Sequence, residues 1–143
     1  MLNKKRILIL CTGNSARSQM AEGLLKHIRE GEFEIFSAGT KPTLVRPEAI
    51  HVLKEIDIDI SNNRSKSIDE FANQEIEYVL TVCDNAKENC PYFPAKTKLI
   101  HRSFADPAQV EGDEEIRLAA FRKVRDQIQK YFNETFVEVI DNE

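Results

Sequence analysis

The chain has no surplus of positive charge and no long apolar run. Lysine and arginine number 20 against 24 aspartate and glutamate residues, a formal net charge of −4. A nucleic-acid partner therefore has no electrostatic support. No stretch approaches the roughly 20 apolar residues of a membrane-spanning helix. The first ten residues, MLNKKRILIL, combine basic residues with an apolar run that ends at Cys11. No small-residue cleavage site follows the run, so it does not fit a signal peptide.

Cysteine is scarce, with three residues among 143. An odd number argues against a purely structural disulfide framework. Cysteines in a chain without an export signal indicate a reducing compartment, so we expect a cytoplasmic protein. Internal repeats and low-complexity segments are also lacking. The length fits a single domain over residues 1–143, and nothing in the sequence demands more than a monomer.

Apolar patterning predicts alternating strands and helices. The apolar run at residues 6–10 predicts a strand buried on both faces. The remaining predicted elements are helices at 15 to about 28, from 47, at 67–72 and at 113–132, and strands at 33–37, 78–82 and 98–101. This order is typical of an α/β domain with a parallel sheet. Ligands of such sheets bind beyond the carboxyl ends of strands, where Cys11 and Cys83 both lie.

The segment CTGNSARS, residues 11–18, joins the first strand to the first helix. Backbone amides of such a loop converge on one point, and the helix presents its positive end there, so the loop can hold an oxyanion. Arg17 adds a guanidinium that grips two oxygens of a tetrahedral anion. The same field stabilises the nucleophilic thiolate of Cys11. Gly13 and Asn14 tolerate positive φ. The predicted anion-binding residues are Thr12, Gly13, Asn14, Ser15, Ala16 and Ser18.

The residues alone leave other interpretations open. Cys11 could be a small buried apolar residue, with Arg17 exposed on a helix. Asp106 precedes proline, which suits a plain turn as well as an acid that protonates a leaving oxygen. Cys83 and Cys90 could be unrelated thiols. Six residues separate them, more than the two to four of usual zinc pairs, so no metal site is predicted.

Motifs along nearly the whole chain point to a family. They are CTGNSARSQMAEG at 11–23, FSAGT at 36–40, RPEAI at 46–50, DIS at 59–61, VCDNAKENCP at 82–91, FADPA at 104–108 and FRKVRDQI at 121–128. Together they resemble the low-molecular-weight protein tyrosine phosphatase superfamily. The first is more similar to the thioredoxin-coupled arsenate reductase branch than to the phosphatases proper. The resemblance implies a four-stranded parallel sheet flanked by helices, in agreement with the predicted elements.

The resemblance implies a relay of three cysteines. Cys11 would attack arsenate, bound as a phosphate mimic, with Arg17 as oxyanion clamp and Asp106 as general acid. Cys83 would then attack Cys11, releasing arsenite, and Cys90 would attack Cys83. The resulting disulfide would be reduced by thioredoxin. No tightly bound cofactor is implied, and weak phosphatase activity toward small aryl phosphates is expected.

One departure from the family concerns a potassium ion that several members hold beside the loop with Asn, Glu, Ser and Asp ligands. Asn14, Glu22 and Ser37 match three of these ligands, but Lys66 stands at the aspartate position. A lysine ammonium carries a single positive charge and could replace the ion, so we expect no potassium dependence. The alternative is a lysine that points to solvent.

Two other functions stay open at this point. A low-molecular-weight tyrosine phosphatase would remain active without Cys83 and Cys90. A non-catalytic thiol sensor or oxyanion-binding module would bind oxyanions without turnover and would not need Asp106. The presence of all the relay residues together favours the reductase.

Overall fold

The computed structural model describes residues 4–84, 97–136 and 138–139. Its strands and α-helices are β1 (Lys5–Cys11), α1 (Arg17–Ile28), β2 (Phe33–Gly39), α2 (Pro47–Lys54), β3 (Tyr78–Thr81), β4 (Lys98–His101) and α3 (Glu114–Tyr131). The strands form one parallel sheet in the order β2-β1-β3-β4, so the predicted α/β fold is confirmed. No helix within the described ranges is long and apolar enough to cross a bilayer.

Strand β1 lies inside the sheet, and its apolar run explains why. Residues from Ile7 to Leu10 are fully buried, as expected for a strand covered on both faces. In the parallel register Leu10 pairs with Thr81, the last residue of β3. The chain therefore leaves β1 and β3 at the same edge of the sheet, which brings Cys11 and Cys83 to one side of the molecule.

The short helix predicted at 67–72 is a 3₁₀ helix, Ile68–Phe71, and two boundaries of the longer helices also differ from the predicted ones. Helix α1 begins at Arg17 rather than at residue 15, because the backbone of Ala16 is not helical (φ −130°, ψ −77°) and the loop continues through it. Helix α3 ends at Tyr131 and is followed by a π-helical turn, Phe132–Phe136. This turn buries both of its phenylalanine rings, whose centroids are 5.3 Å apart. Local periodicity predicts neither feature, since both depend on distant packing partners.

A cluster of charged side chains connects α3 to the end of α2. The Glu55 carboxylate accepts hydrogen bonds from Arg122 Nη2 at 2.8 Å and from Arg125 Nη1 at 3.0 Å. Arg125 Nη1 also donates to the carbonyl of Val52 at 2.8 Å. The hydrogen bond from Arg122 is the main reason that the pKa of Glu55 falls from 4.5 to about 2.

This lowered pKa gives Glu55 a defined effect on stability. The folded state favours the ionised carboxylate, so its contribution is present above pH 4.5 and is lost as the pH falls toward about 2. We expect Glu55→Gln to lower Tm by a few degrees near pH 7, with the difference from wild type closing between those two pH values. Differential scanning fluorimetry from pH 7 to pH 2 measures this. A Tm difference that is constant across the range would contradict the assignment.

Candidate active site

The segment that follows β2 binds the outer side of the loop at residues 11–18. Backbone N–H groups of residues 40, 41, 43 and 46 donate to the carbonyls of Cys11, Thr12, Gly13 and Ser15, at 3.2, 2.8, 3.0 and 2.9 Å. In a trans peptide, a carbonyl and the N–H that follows it point in opposite directions. The amides that follow these carbonyls therefore face the inside of the loop. This is the arrangement that an oxyanion site requires.

Asn14 supplies the left-handed turn of the loop, and Gly13 does not. Asn14 has φ +48°, as predicted. Gly13 also tolerates positive φ, but its backbone is not in that region. A Cβ at Gly13 would lie 3.2 Å from Ser15 Oγ and 3.3 Å from Thr43 Oγ1. Glycine fits this position because the space is tight.

Gly39, the last residue of β2, lies against the backbone of the loop. A Cβ on Gly39 would lie 2.5 Å from the Thr12 carbonyl oxygen and 2.9 Å from the Asn14 nitrogen. Its own N–H donates to the Lys66 carbonyl at 2.8 Å, which fixes Gly39 from the other side. Moving the backbone of the loop or of Gly39 would cost free energy, so any side chain at position 39 must displace the loop.

We therefore expect Gly39→Ala to weaken phosphate binding by about tenfold or more, which corresponds to about 1.4 kcal/mol. Isothermal titration calorimetry with inorganic phosphate measures the change in Kd. Gly31→Ala is the matched control, because Gly31 has φ +77° and an added Cβ would meet nothing within 4 Å. The control should lose stability and keep its affinity for phosphate. Equal affinities of wild type and Gly39→Ala would contradict the proposed contact.

Cys11 is the last residue of β1, and the residue is 3% exposed. The Asn14 backbone N–H donates to Sγ at 3.2 Å, and Ser18 Oγ lies 2.8 Å from Sγ. Both groups come from the loop and from the first turn of α1. These two contacts fix the position of the Cys11 sulfur between the loop and the start of α1.

The direction of the Ser18 hydrogen bond follows from the orientation of the Asn14 amide. Asn14 Oδ1 accepts from the backbone N–H of Lys66 at 2.8 Å and from Gln19 Nε2 at 3.0 Å. The backbone N–H can only donate, so the oxygen of the amide is identified. The nitrogen Nδ2 must therefore face the opposite side, toward two serine hydroxyls.

Asn14 Nδ2 donates to Ser18 Oγ at 2.8 Å and to Ser37 Oγ at 2.9 Å. Ser37 Oγ in turn donates to the buried carboxylate of Glu22 at 2.8 Å. Because Ser18 Oγ accepts from Asn14, its own proton is available for the Cys11 thiolate. A chain of hydrogen bonds thus runs from the Glu22 carboxylate to the Cys11 sulfur.

Two lysines surround Glu22. Lys26 Nζ donates to Oε2 at 3.0 Å, and Lys66 Nζ lies 3.9 Å from Oε1. The Lys66 side chain is only 14% exposed, so it does not point to solvent. Burial lowers the pKa of the Lys66 ammonium, and the Glu22 carboxylate opposes this shift. Asn63 Nδ2 completes the shell of Glu22 at 3.0 Å.

Arg17 and Asp106 face one another across the mouth of the loop. Arg17 Nη1 donates to the Phe104 carbonyl at 3.1 Å, and Nη2 lies 3.7 Å from Asp106 Oδ2. The other carboxylate oxygen of Asp106 accepts from the Ala108 N–H at 3.0 Å, which caps a short 3₁₀ turn. The backbone thus fixes the Asp106 carboxyl beside the guanidinium.

Cys83 lies in the same cleft. This cleft has a volume of about 520 Å³, and Thr12, Arg17, Cys83, Asp84 and Asp106 are among its lining residues. Cys83 Sγ lies 3.4 Å from the Thr12 hydroxyl, and the Cys83 residue is 3% exposed. Three of the five predicted catalytic residues, Arg17, Cys83 and Asp106, thus line one cleft, and Cys11 directly precedes its lining residue Thr12. The fifth, Cys90, lies outside the described residues. Across the described ranges, no three His, Cys, Asp or Glu side chains form a metal-binding group.

Several supporting residues escaped the sequence-based prediction. Gln19 is fully buried and donates to both the side chain and the backbone oxygen of Asn14. Ser65 Oγ donates to the Gly13 carbonyl at 2.8 Å. The one local sign of a supporting role for Gln19 is that this polar residue stands among the buried positions of α1. Ser65 and Asn63 have none, because their contacts join segments about 40 to 50 residues apart.

Comparisons with known proteins agree with this geometry. The family model described as low molecular weight phosphotyrosine protein phosphatase matches residues 6–143. An arsenate reductase of Halalkalibacterium halodurans is 45% identical over 137 residues, covering 96% of this chain and 98% of the relative. Among solved structures, an arsenate reductase in the oxidised state has a TM-score of 0.79 at 28% identity, covering 94% of this chain and 98% of the other. A low molecular weight protein tyrosine phosphatase from T. tengcongensis has a TM-score of 0.78 at 25% identity, with 94% and 99% covered.

Proposed function

The chain belongs to the low molecular weight phosphotyrosine protein phosphatase family, and from this premise we propose that it is an arsenate reductase. The observation that carries the proposal is the second thiol in the cleft. Phosphate ester hydrolysis uses Cys11 and water, and it has no need of Cys83. A buried thiol 3.4 Å from the loop residue next to Cys11 suits a reaction in which the nucleophile must itself be attacked. The relatives named as arsenate reductases support this choice.

In the first step, arsenate binds to the inward amides of the loop and to Arg17. The Cys11 thiolate attacks arsenic and forms a sulfur–arsenic bond. One arsenate oxygen leaves as water after it takes up protons, and the Asp106 carboxyl beside Arg17 is the group that delivers one of them. Arsenic stays in the pentavalent state, so no electrons have yet been transferred. The two groups hydrogen-bonded to Cys11 hold its sulfur in position for this attack.

In the second step, the Cys83 thiolate attacks the Cys11 sulfur. A disulfide bond forms between Cys11 and Cys83, and the sulfur–arsenic bond breaks. The electron pair of that bond goes to arsenic, which is reduced from the pentavalent to the trivalent state and leaves as arsenite after protonation. Two thiols are oxidised for each arsenate reduced, so the electrons balance.

The third step restores Cys11. Cys90 attacks Cys83, which leaves a Cys83–Cys90 disulfide and a free Cys11 thiolate. A dithiol protein of the thioredoxin type then reduces this disulfide by thiol–disulfide exchange. The family resemblance supports thioredoxin as the donor, and the odd number of cysteines fits a relay in a reducing compartment. We propose that the protein acts as a monomer in the cytoplasm.

The same loop also supports hydrolysis of small aryl phosphates as a weak side reaction. Phosphate has the shape and charge of arsenate, so the inward amides and Arg17 accept either oxyanion. Cys11 would form a phosphocysteine that water hydrolyses. This activity uses the first thiol alone, and it therefore provides an internal control for variants of the other cysteines.

We propose that the protein needs no potassium ion beside this loop. The Glu22 carboxylate already faces two ammonium groups, Lys26 at 3.0 Å and the buried Lys66 at 3.9 Å. We therefore expect equal reductase activity in potassium and sodium chloride at the same ionic strength. Lys66→Ala and Lys26→Ala form a matched pair of variants. Because Lys66 is the more buried lysine, its replacement should lower reductase activity more than the replacement of Lys26. Strong activation of the wild type by potassium over sodium would contradict this expectation.

The function is tested by arsenate-dependent oxidation of NADPH in the presence of thioredoxin and thioredoxin reductase. The wild type should turn over, and Cys11→Ser should show neither reduction nor phosphatase activity. Hydrolysis of an aryl phosphate by wild type without any arsenate reduction would identify the protein as a phosphatase. Arsenate binding without either reaction would identify it as an oxyanion-binding module.

A further inference from the structure

A polar cluster lies beside Cys83 and takes no part in the steps above. It consists of Thr81, the last residue of β3, His101, the last residue of β4, and Asp84, which follows Cys83. Thr81 and His101 are neighbours in the parallel register. His101 Nδ1 lies 2.7 Å from Thr81 Oγ1, and Nε2 lies 3.1 Å from Asp84 Oδ1.

The Asp84 carboxylate determines which imidazole nitrogen carries the proton. A carboxylate only accepts, so Nε2 is protonated and donates to Asp84. In the neutral ring Nδ1 is then an acceptor, and the Thr81 hydroxyl donates to it. Thr81 is buried, and its strand is held in the sheet. His101 contacts Thr81 through Nδ1 and is therefore held in place, and it restrains Asp84 through Nε2.

This contact holds the backbone on the far side of Cys83. On the near side, Val82 is held by two backbone hydrogen bonds, to the Leu10 carbonyl at 2.9 Å and from the Phe104 N–H at 3.0 Å. Asp84 itself is largely exposed, with 77% of its side chain accessible, so burial does not fix it. The His101 contact therefore supplies a restraint that Asp84 does not obtain from packing.

We propose that His101 is a positioning residue for Cys83, acting through Asp84. It holds the Cys83 sulfur beside Thr12, the residue that follows Cys11, for the attack that forms the Cys11–Cys83 disulfide. This role rests on the proposed arsenate reduction. A small misplacement of an attacking atom is enough to slow such a step by one or two orders of magnitude.

The test compares His101→Ala, Asp84→Ala and the double variant with wild type in single turnover without reductant. Each single variant should release arsenite about tenfold more slowly, and the double variant should be no slower than either, because the two residues act as one unit. His101→Gln, whose amide still donates to Asp84, should recover part of the rate. Aryl phosphate hydrolysis should be unchanged in His101→Ala and His101→Gln. Unchanged arsenite release, independent effects of the two variants, or an equal loss of phosphatase activity would each overturn the proposal.

A second measurement separates this proposal from the proposed function. Alkylation of Cys83 by iodoacetamide, followed by mass spectrometry with Cys11 as internal reference, requires no arsenate. His101→Ala should raise the rate at Cys83 severalfold and leave Cys11 unchanged, and an equal rate would overturn the positioning role. If the wild type releases no arsenite, the reductase assignment fails, and the alkylation rates alone decide the role of His101.

Discussion

Replacing Cys83 with serine will abolish thioredoxin-coupled arsenate reduction and leave aryl phosphate hydrolysis intact. Serine keeps the size of the side chain and a hydrogen-bonding partner for the Thr12 hydroxyl, which lies 3.4 Å from the sulfur. Its hydroxyl cannot form a disulfide with Cys11. Arsenic bound to Cys11 then has no thiol to displace it, so arsenite is not released and turnover falls to the background rate.

The measurement is NADPH oxidation at saturating thioredoxin, with hydrolysis of an aryl phosphate run on the same preparation. The phosphatase rate is the control for folding and for an intact loop, because phosphate hydrolysis uses Cys11 and Arg17 and does not use Cys83. Retention of reductase activity by Cys83→Ser would mean that arsenite leaves by a route that does not use this thiol.

Replacing Arg17 with lysine will lower kcat/KM for both arsenate reduction and aryl phosphate hydrolysis by about 10² to 10³-fold, the usual cost of removing one preorganised oxyanion contact. The guanidinium of Arg17 reaches the Phe104 carbonyl and the Asp106 carboxylate at once. A lysine ammonium is a point charge and cannot grip two oxygens of an anion in a plane. Both reactions must suffer, because both begin at the same anion site.

Arg46→Lys is the matched control for Arg17→Lys. Arg46 is exposed, and it supports the loop through its backbone N–H rather than its side chain. Steady-state kinetics of both variants should show normal activity for Arg46→Lys. A loss of less than tenfold in Arg17→Lys would indicate that the inward amides alone supply most of the oxyanion stabilisation.

The sequence predicts the frame of this site well, because its signals are local. A buried β-branched strand followed by an amphipathic helix places the loop between them, and parallel strands place Cys83 at the same edge as Cys11. Asn14 adopts the expected left-handed conformation. The loop extends through Ala16 because its carbonyls are bound by a distant segment, which no periodicity of residues 15–28 reveals.

The residues that support the site make contacts between distant segments, and local sequence patterns do not predict such contacts. Gly39 is required by a close approach of two backbones, and its own neighbours in sequence do not show this. Gln19 fixes the Asn14 amide from the buried side of α1. His101 shows no ligand spacing in the sequence, and only the register of β3 and β4 brings it to Asp84.

The most direct test of the relay is a single turnover of Cys90→Ser with arsenate in the absence of any reductant. We predict one arsenite released per chain and a Cys11–Cys83 disulfide that accumulates, identified by peptide mass spectrometry, since the thiol that would displace Cys11 is missing. The wild type under the same conditions should instead end with a Cys83–Cys90 disulfide. Arsenite release from Cys90→Ser with Cys11 and Cys83 both still present as thiols would contradict the relay.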